Sequence, residues 1–138
     1  MPRFEDIAAD FAFLDDWDDR YKYLIDLGRR LPPYPETARD DARKVRGCAS
    51  QVWLNAEIAD GGNGPVLKLD GDSDAHIVKG LVALLLALYA EKSPAAALAV
   101  DAEAALAPLE LEGHLTPQRS NGLHAMIRRI RDIAAAAA

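Results

Sequence analysis

The sequence is poor in cysteine and histidine, the residues that cross-link many small proteins through disulfides and zinc sites. It has one cysteine in 138 residues, so no disulfide can form within the chain. Its three histidines lie far apart and do not complete the ligand pattern of a zinc site. A single free thiol is typical of a reducing compartment, and we expect a cytoplasmic protein. With 50% hydrophobic residues, the chain can bury a core without such cross-links.

Basic charge and long apolar runs are also scarce. The 16 Lys and Arg residues are outnumbered by 22 Asp and Glu residues, which gives a formal net charge of −6. Phosphate backbones and anionic membranes attract basic surfaces, so this balance argues against nucleic acid and membrane partners. The longest apolar run, residues 81–90, is shorter than the ~20 residues that span a bilayer. The charged N-terminus lacks the apolar core of a signal peptide.

Helical periodicity dominates both ends of the chain. Apolar residues recur at spacings of three and four, and capping residues precede two of the runs: Asp16, and Thr116 followed by Pro117. One central run is apolar on nearly every side, which is typical of a helix at the buried centre of a domain. The C-terminal alanines, 134–138, are expected to fray. The predicted helices cover residues 4–14, 16–31, 75–91, 93–106 and 118–133.

A hairpin is predicted in the middle of the chain. Polar and apolar residues alternate over 51–59, a glycine-rich turn fills 60–64 and a second short strand covers 65–69. One hairpin is marginally stable alone, so Lys44–Arg46 is expected to supply a short third strand.

Residues 70–74 are expected to form a turn in which Ser73 or Asp74 caps the next helix. The order of the elements then predicts one α+β domain over residues 1–138. Its antiparallel sheet of about three strands would pack against several helices.

The candidate for chemistry is Cys48, in a turn at the start of the first strand. Gly47 allows a tight backbone turn. Lys44 and Arg46 place positive charge nearby, which would lower the pKa of the thiol. Ser50 could hydrogen-bond the sulfur or cap the turn. The alternative is that Cys48 is a small buried hydrophobe, as a free cysteine often is.

Three segments of the chain match the pattern of one protein family. Val45–Trp53 matches V-x-G-C-x-S-x-V-W at each fixed position. Residues 71–81 match D-S-D…I-V-K-G-L, and residues 115–123 match L-(S/T)-P-x-R-x-x-G-L. In this order and spacing, they resemble the SufE family, the sulfur-acceptor proteins of iron–sulfur cluster assembly. The resemblance covers nearly the whole chain, and the CsdE paralogue shares the same marks.

The resemblance implies a sulfur carrier. Members of the family accept sulfane sulfur from the persulfide of a pyridoxal-phosphate cysteine desulfurase of the SufS or CsdA type. They carry it as a persulfide on the cysteine that matches Cys48, stimulate the desulfurase and pass the sulfur to a cluster scaffold of the SufB type. The implied fold is that of the IscU/NifU scaffolds, and the chain itself would need no cofactor.

The family pattern also implies which residues support Cys48. Gly47 and Ser50 would shape its loop. Arg119 matches the family's arginine and would stabilise a thiolate or hold the loop by bonding to carbonyls; the alternative is a structural arginine in a first helical turn. Asp74, although expected as an N-cap, would lie close enough to set the position of the loop.

A partner is expected to dock at the loop itself, with Arg43, Lys44 and Arg46 at the interface. Shelter would protect a bound sulfur but raise the thiol pKa, so we expect Cys48 to be tucked in when alone and swung out when docked. One alternative function is a non-carrying activator of the desulfurase. Another is a cysteine hydrolase with His76 or His124 as base, for which the chain shows no signature.

Overall fold

The computed structural model describes residues 2–138 and has the α+β fold that the sequence predicts. Short 3₁₀ turns lie at Glu36–Ala38 and Ala107–Leu109. Within residues 2–138, no helix combines the length and the apolar character needed to cross a membrane. The longer elements are α1 (Phe4–Phe13), α2 (Trp17–Arg29), β1 (Val52–Asp60), β2 (Pro65–Ser73), α3 (His76–Tyr89), α4 (Pro94–Ala99), α5 (Ala102–Leu106) and α6 (Pro117–Ala137).

Two helices begin at the capping residues that the sequence offers. The Asp16 carboxylate accepts a hydrogen bond from the Asp18 N–H at 2.9 Å. The Thr116 hydroxyl accepts one from the Arg119 N–H at 3.3 Å, and Pro117 stands in the first turn. Because side chains satisfy N–H groups that would otherwise lack a partner, α2 and α6 start within one residue of the prediction.

Two helical regions differ from the prediction. The alanine-rich stretch is broken between α4 and α5, where the Asp101 carboxylate caps α5 by accepting from the Ala104 N–H at 3.0 Å. The last helix does not end at Ile133; α6 continues to Ala137, and Ala134 is fully buried. Tertiary packing therefore keeps helical a tail that composition alone suggests would fray.

The sheet has two strands within residues 2–138, rather than about three. β1 and β2 run antiparallel, with Val52 opposite Ser73. The segment expected as a third strand makes one isolated bridge, from Lys44 to Trp53. Its pairing with β1 stops there because the chain turns at Gly47, whose φ is +90°.

β2 continues to Ser73, so the prediction of a turn over residues 70–74 was wrong. The buried Asp72 explains the difference, because its carboxylate pairs with the Arg39 guanidinium and lies 3.3 Å from Lys79 Nζ. Arg39 comes from a distant segment and Lys79 from the first turn of α3, and together they compensate the burial of the charge. An aspartate that favours a turn locally is thus held in the sheet by tertiary ion pairs.

The central apolar helix was predicted correctly, and α3 lies at the centre of the core. Its residues 81–86 are all buried. α2 packs closely against α3 at Gly80, which has no side chain. A Cβ built on Gly80 would lie 2.2 Å from the Leu24 carbonyl oxygen. β2 and α6 also contact α3, so the end of β2, the start of α3 and one face of α6 meet beside the segment that carries Cys48.

Candidate functional site

Cys48 lies in residues 46–51, the segment that leads into β1 and is called the Cys48 loop below. Gly47 adopts a φ of +90°, a conformation that side chains disfavour, and a Cβ there would lie 3.3 Å from the Ala125 Cβ. The turn directs the thiol inward, and its S–H donates to the Gly122 carbonyl at 3.7 Å. Cys48 is half-buried, so its thiol is neither fully exposed to solvent nor fully enclosed like a small core hydrophobe.

The far end of the Cys48 loop is held by the junction between β2 and α3. The Asp74 carboxylate accepts from the Gln51 N–H at 3.0 Å. The Gln51 carbonyl accepts from the Ser73 hydroxyl at 2.8 Å and from the Asp74 N–H at 3.2 Å. Gln51 was not among the predicted site residues, and the polar pair in the D-S-D segment was the signal that could have indicated such an anchor.

Asp74 therefore does not cap α3. Ala75 takes the N-cap position without a side-chain hydrogen bond, and the Ser73 hydroxyl accepts from the Ala75 N–H at 3.2 Å. Asp74 thus contacts the Cys48 loop, and its influence on the position of the loop stays a prediction.

One face of α6 supports the near end of the loop. Gly122 lies against Cys48, and Met126 lines the same small cavity one turn later. Arg129 then donates to the Lys44 carbonyl at 3.2 Å and to the Ala42 carbonyl. Arg129 was not among the predicted site residues, and only the tertiary structure shows that it anchors the segment before Cys48.

Beside the thiol lies a cavity of about 20 Å³. Ser50, Val78 and Arg119 contribute to its wall together with Cys48 and α6. A cavity of this size has room for about one atom the size of a water molecule. The structure therefore brings Ser50 and Arg119 to the cavity beside Cys48, and their supporting roles there stay predictions.

Burial raises the pKa of the Cys48 thiol above its ordinary value. The expectation that Lys44 and Arg46 lower it was wrong. Arg46 is exposed to solvent, and the loss of solvation around the half-buried sulfur determines the direction of the shift. The free thiol is consequently protonated over a wider pH range than an exposed cysteine.

Of the remaining predicted residues, Arg119 borders the cavity, whereas Arg43 and Lys44 make contacts elsewhere in the fold. The Arg119 guanidinium makes no hydrogen bond or ion pair within residues 2–138, although it borders the cavity. Arg43 donates to the Asn55 side-chain oxygen at 2.9 Å and pairs with Asp40, so its charge is balanced within the chain. Lys44 is half-buried at the bridge to β1.

The histidines do not assemble a site. His76 is exposed at the start of α3. His114 stacks on Trp17 with ring centroids 3.8 Å apart, and His124 lies 2.8 Å from a carboxylate oxygen of Glu112. Among residues 2–138, no three side chains of the His, Cys, Asp and Glu types are grouped as metal ligands.

The family model described as "SufE: Fe-S metabolism associated domain" matches residues 5–134. The chain belongs to the SufE family. Two SufE-family relatives are uncharacterised SufE-like proteins. The protein from Rhizobium meliloti (strain 1021) is 47% identical over 131 residues, which cover 95% of this chain and 94% of that protein. The one from Rhizobium etli is 47% identical over 132 residues, covering 96% and 89%. The resemblance seen in the three motifs is thereby confirmed.

The same fold is found in a solved structure. The solution structure of a hypothetical protein from Thermus thermophilus matches with a TM-score of 0.76 and 25% sequence identity. The match covers 99% of this chain and 96% of that one. Membership of the SufE family associates the chain with iron–sulfur metabolism.

Proposed function

We propose that this chain accepts sulfane sulfur from a cysteine desulfurase of the SufS or CsdA type as a persulfide on Cys48. It stimulates the desulfurase by removing the product and delivers the sulfur to a SufB-type scaffold, in the cytoplasm. The observation that carries the proposal is the position of its one thiol, half-buried on a glycine turn beside a cavity that holds about one further atom.

The transfer is a thiol–persulfide exchange that needs no external oxidant. The Cys48 thiolate attacks the outer sulfur of the desulfurase persulfide. A new S–S bond forms, the S–S bond of the donor breaks, and its electron pair leaves with the thiolate of the desulfurase. A second thiol in the chain would attack the product and release sulfide, and the sequence has none.

The raised pKa and the anchored loop fit a thiol that is held back until a partner arrives. Only the thiolate is nucleophilic, and burial lowers its fraction in the free chain. Docking would break the hydrogen bonds of Gln51 and swing Cys48 outward. Arg46 is the exposed cation of the loop; Arg43 and Lys44 would lie at the edge of the same docking surface, and Gly47 would allow the loop to move.

Intact-protein mass spectrometry tests the proposal. The chain is incubated with a SufS-type desulfurase and cysteine in the absence of reductant, beside a Cys48→Ser control. We expect a gain of about 32 Da in the chain with Cys48 and none in the control, because one sulfur atom is added to the thiol.

The same experiment separates the proposal from its alternative. No mass gain together with faster desulfurase turnover would identify a non-carrying activator, and a Cys48→Ser variant that still stimulates would agree with that role. No gain and no stimulation would refute both functions for the desulfurase used.

A further inference from the structure

The absence of a side chain at position 122 shapes the space around the carried sulfur. We propose that Gly122 is a specificity-determining residue: its missing side chain leaves room in the small cavity at Cys48 for one added sulfur atom and no more, so that the chain protects a persulfide and not a longer polysulfide. The inference rests on the proposed function, since it concerns the same thiol, but it makes a separate claim about the number of sulfur atoms.

The first step is the direction of the thiol. Its S–H points to the Gly122 carbonyl oxygen, 3.7 Å from Sγ. In a persulfide, the terminal sulfur takes the place of that hydrogen at about 2.0 Å from Sγ. On the straight line to the oxygen it would be too close, so the terminal sulfur must turn aside into the adjoining cavity.

The second step is the capacity of that cavity. Its volume is about 20 Å³, and Gly122, Val78 and Met126 form part of its wall. This is room for about one small atom and not for two. A second added sulfur would have to leave the cavity, where reductants and nucleophiles reach it.

The third step is what a side chain at position 122 would change. A Cβ there would lie 3.5 Å from Cys48 Sγ and 3.7 Å from Cys48 Cβ, which are ordinary contacts. The free thiol and the fold therefore tolerate alanine, and alanine is a better helix former than glycine inside α6. The added methyl group would take up the space that the terminal sulfur needs.

The test loads the chain chemically, without a desulfurase. The Cys48 thiolate attacks the outer sulfur of glutathione persulfide, which forms the Cys48 persulfide and releases glutathione thiolate. Mass spectrometry counts the added sulfur atoms, and cyanide then measures how fast the outer sulfur is removed. Gly113→Ala serves as the matched control, because a Cβ at Gly113 meets nothing within 4 Å.

We expect the wild type and Gly113→Ala to stop at one added sulfur that cyanide removes slowly. Gly122→Ala should lose its sulfur to cyanide about tenfold faster and should add further sulfur atoms, because its terminal sulfur is exposed. Val78→Ala enlarges the cavity and should retain two sulfur atoms. If circular dichroism shows that Gly122→Ala does not fold, the number of sulfur atoms retained by Val78→Ala tests the inference instead.

Other results would overturn the inference. These are two or more retained sulfur atoms on the wild type, no chemical loading at all, equal cyanide rates for Gly122→Ala and wild type, or a single retained sulfur on Val78→Ala. Failure of the proposed function is distinguishable, because it appears as a wild-type chain that glutathione persulfide loads but the desulfurase does not.

Discussion

At the scale of single residues, Asp74 joins the Cys48 loop to the junction between β2 and α3. Its carboxylate receives the Gln51 N–H at 3.0 Å, and its own N–H donates to the Gln51 carbonyl. Both bonds close the Cys48 loop against the start of α3. Because the carboxylate is exposed, we expect its bond to contribute on the order of 1 kcal/mol to the closed loop.

Asp74→Ala should speed the alkylation of Cys48 by iodoacetamide. Loss of about 1 kcal/mol from the closed state raises the open population roughly fivefold, and the reagent reaches the thiol in that state. Rates are measured at one fixed pH. Asp16→Ala is the control, because it also removes a carboxylate that accepts from a backbone N–H, at the start of α2. Equal rates in Asp74→Ala and wild type would contradict this role.

At the scale of the elements, one face of α6 packs against the Cys48 loop and the segment that precedes it. Gly122, Met126 and Arg129 follow one another at helical spacing and all contact the segment that contains Cys48 or its cavity. Arg129 is the strongest of these links, because one guanidinium donates to the carbonyls of both Ala42 and Lys44.

Arg129→Met should loosen the segment before Cys48 while α6 stays folded. Two charge-assisted hydrogen bonds are lost, so the backbone of 42–46 should open more often. The measurement is amide hydrogen exchange of Val45, whose N–H is bonded to the Val52 carbonyl. We expect at least about fivefold faster exchange.

Arg128→Met is the matched control for this change. Arg128 neighbours Arg129 on α6 but is exposed, and it makes no hydrogen bond within residues 2–138. Its replacement should leave the exchange of Val45 unchanged. If both variants exchange alike, the loop does not depend on the Arg129 hydrogen bonds.

Elements set by local chemistry were predicted well, and those set by distant partners were not. The starts of α2 and α6 follow from Asp16 and Thr116, which cap within their own helices. The end of β2 could not be predicted from its local residues, because Asp72 is held there by Arg39, 33 residues away. The motif around Cys48 identified the thiol and its family, but it could not show which atoms hold the loop.

At the scale of the whole molecule, the candidate site exists only when the fold is complete. The thiol and the Gly122 carbonyl are 74 residues apart in sequence. Asp74 reaches the Cys48 loop from the β2–α3 junction, and Arg129 reaches the preceding segment from α6. The sequence predicted two opposing effects on the thiol pKa, a lowering by nearby positive charge and a raising by shelter; tertiary packing encloses the thiol, and burial raises its pKa.

The same enclosure predicts that the molecule becomes less stable in alkali. Burial raises the pKa of Cys48, Tyr23, Tyr34 and Tyr89. Between the unfolded and the folded pKa of such a group, the folded chain keeps a proton that the unfolded chain has lost, so the free energy of unfolding falls as the pH rises. Urea titrations should show this decline beginning above about pH 8.5, where an unfolded cysteine ionises, and steepening near pH 10, where unfolded tyrosines do. Cys48→Ser should remove the first part of the decline and Tyr89→Phe should reduce the second. A free energy of unfolding that stays constant to about pH 11 would show that these groups are not buried as described.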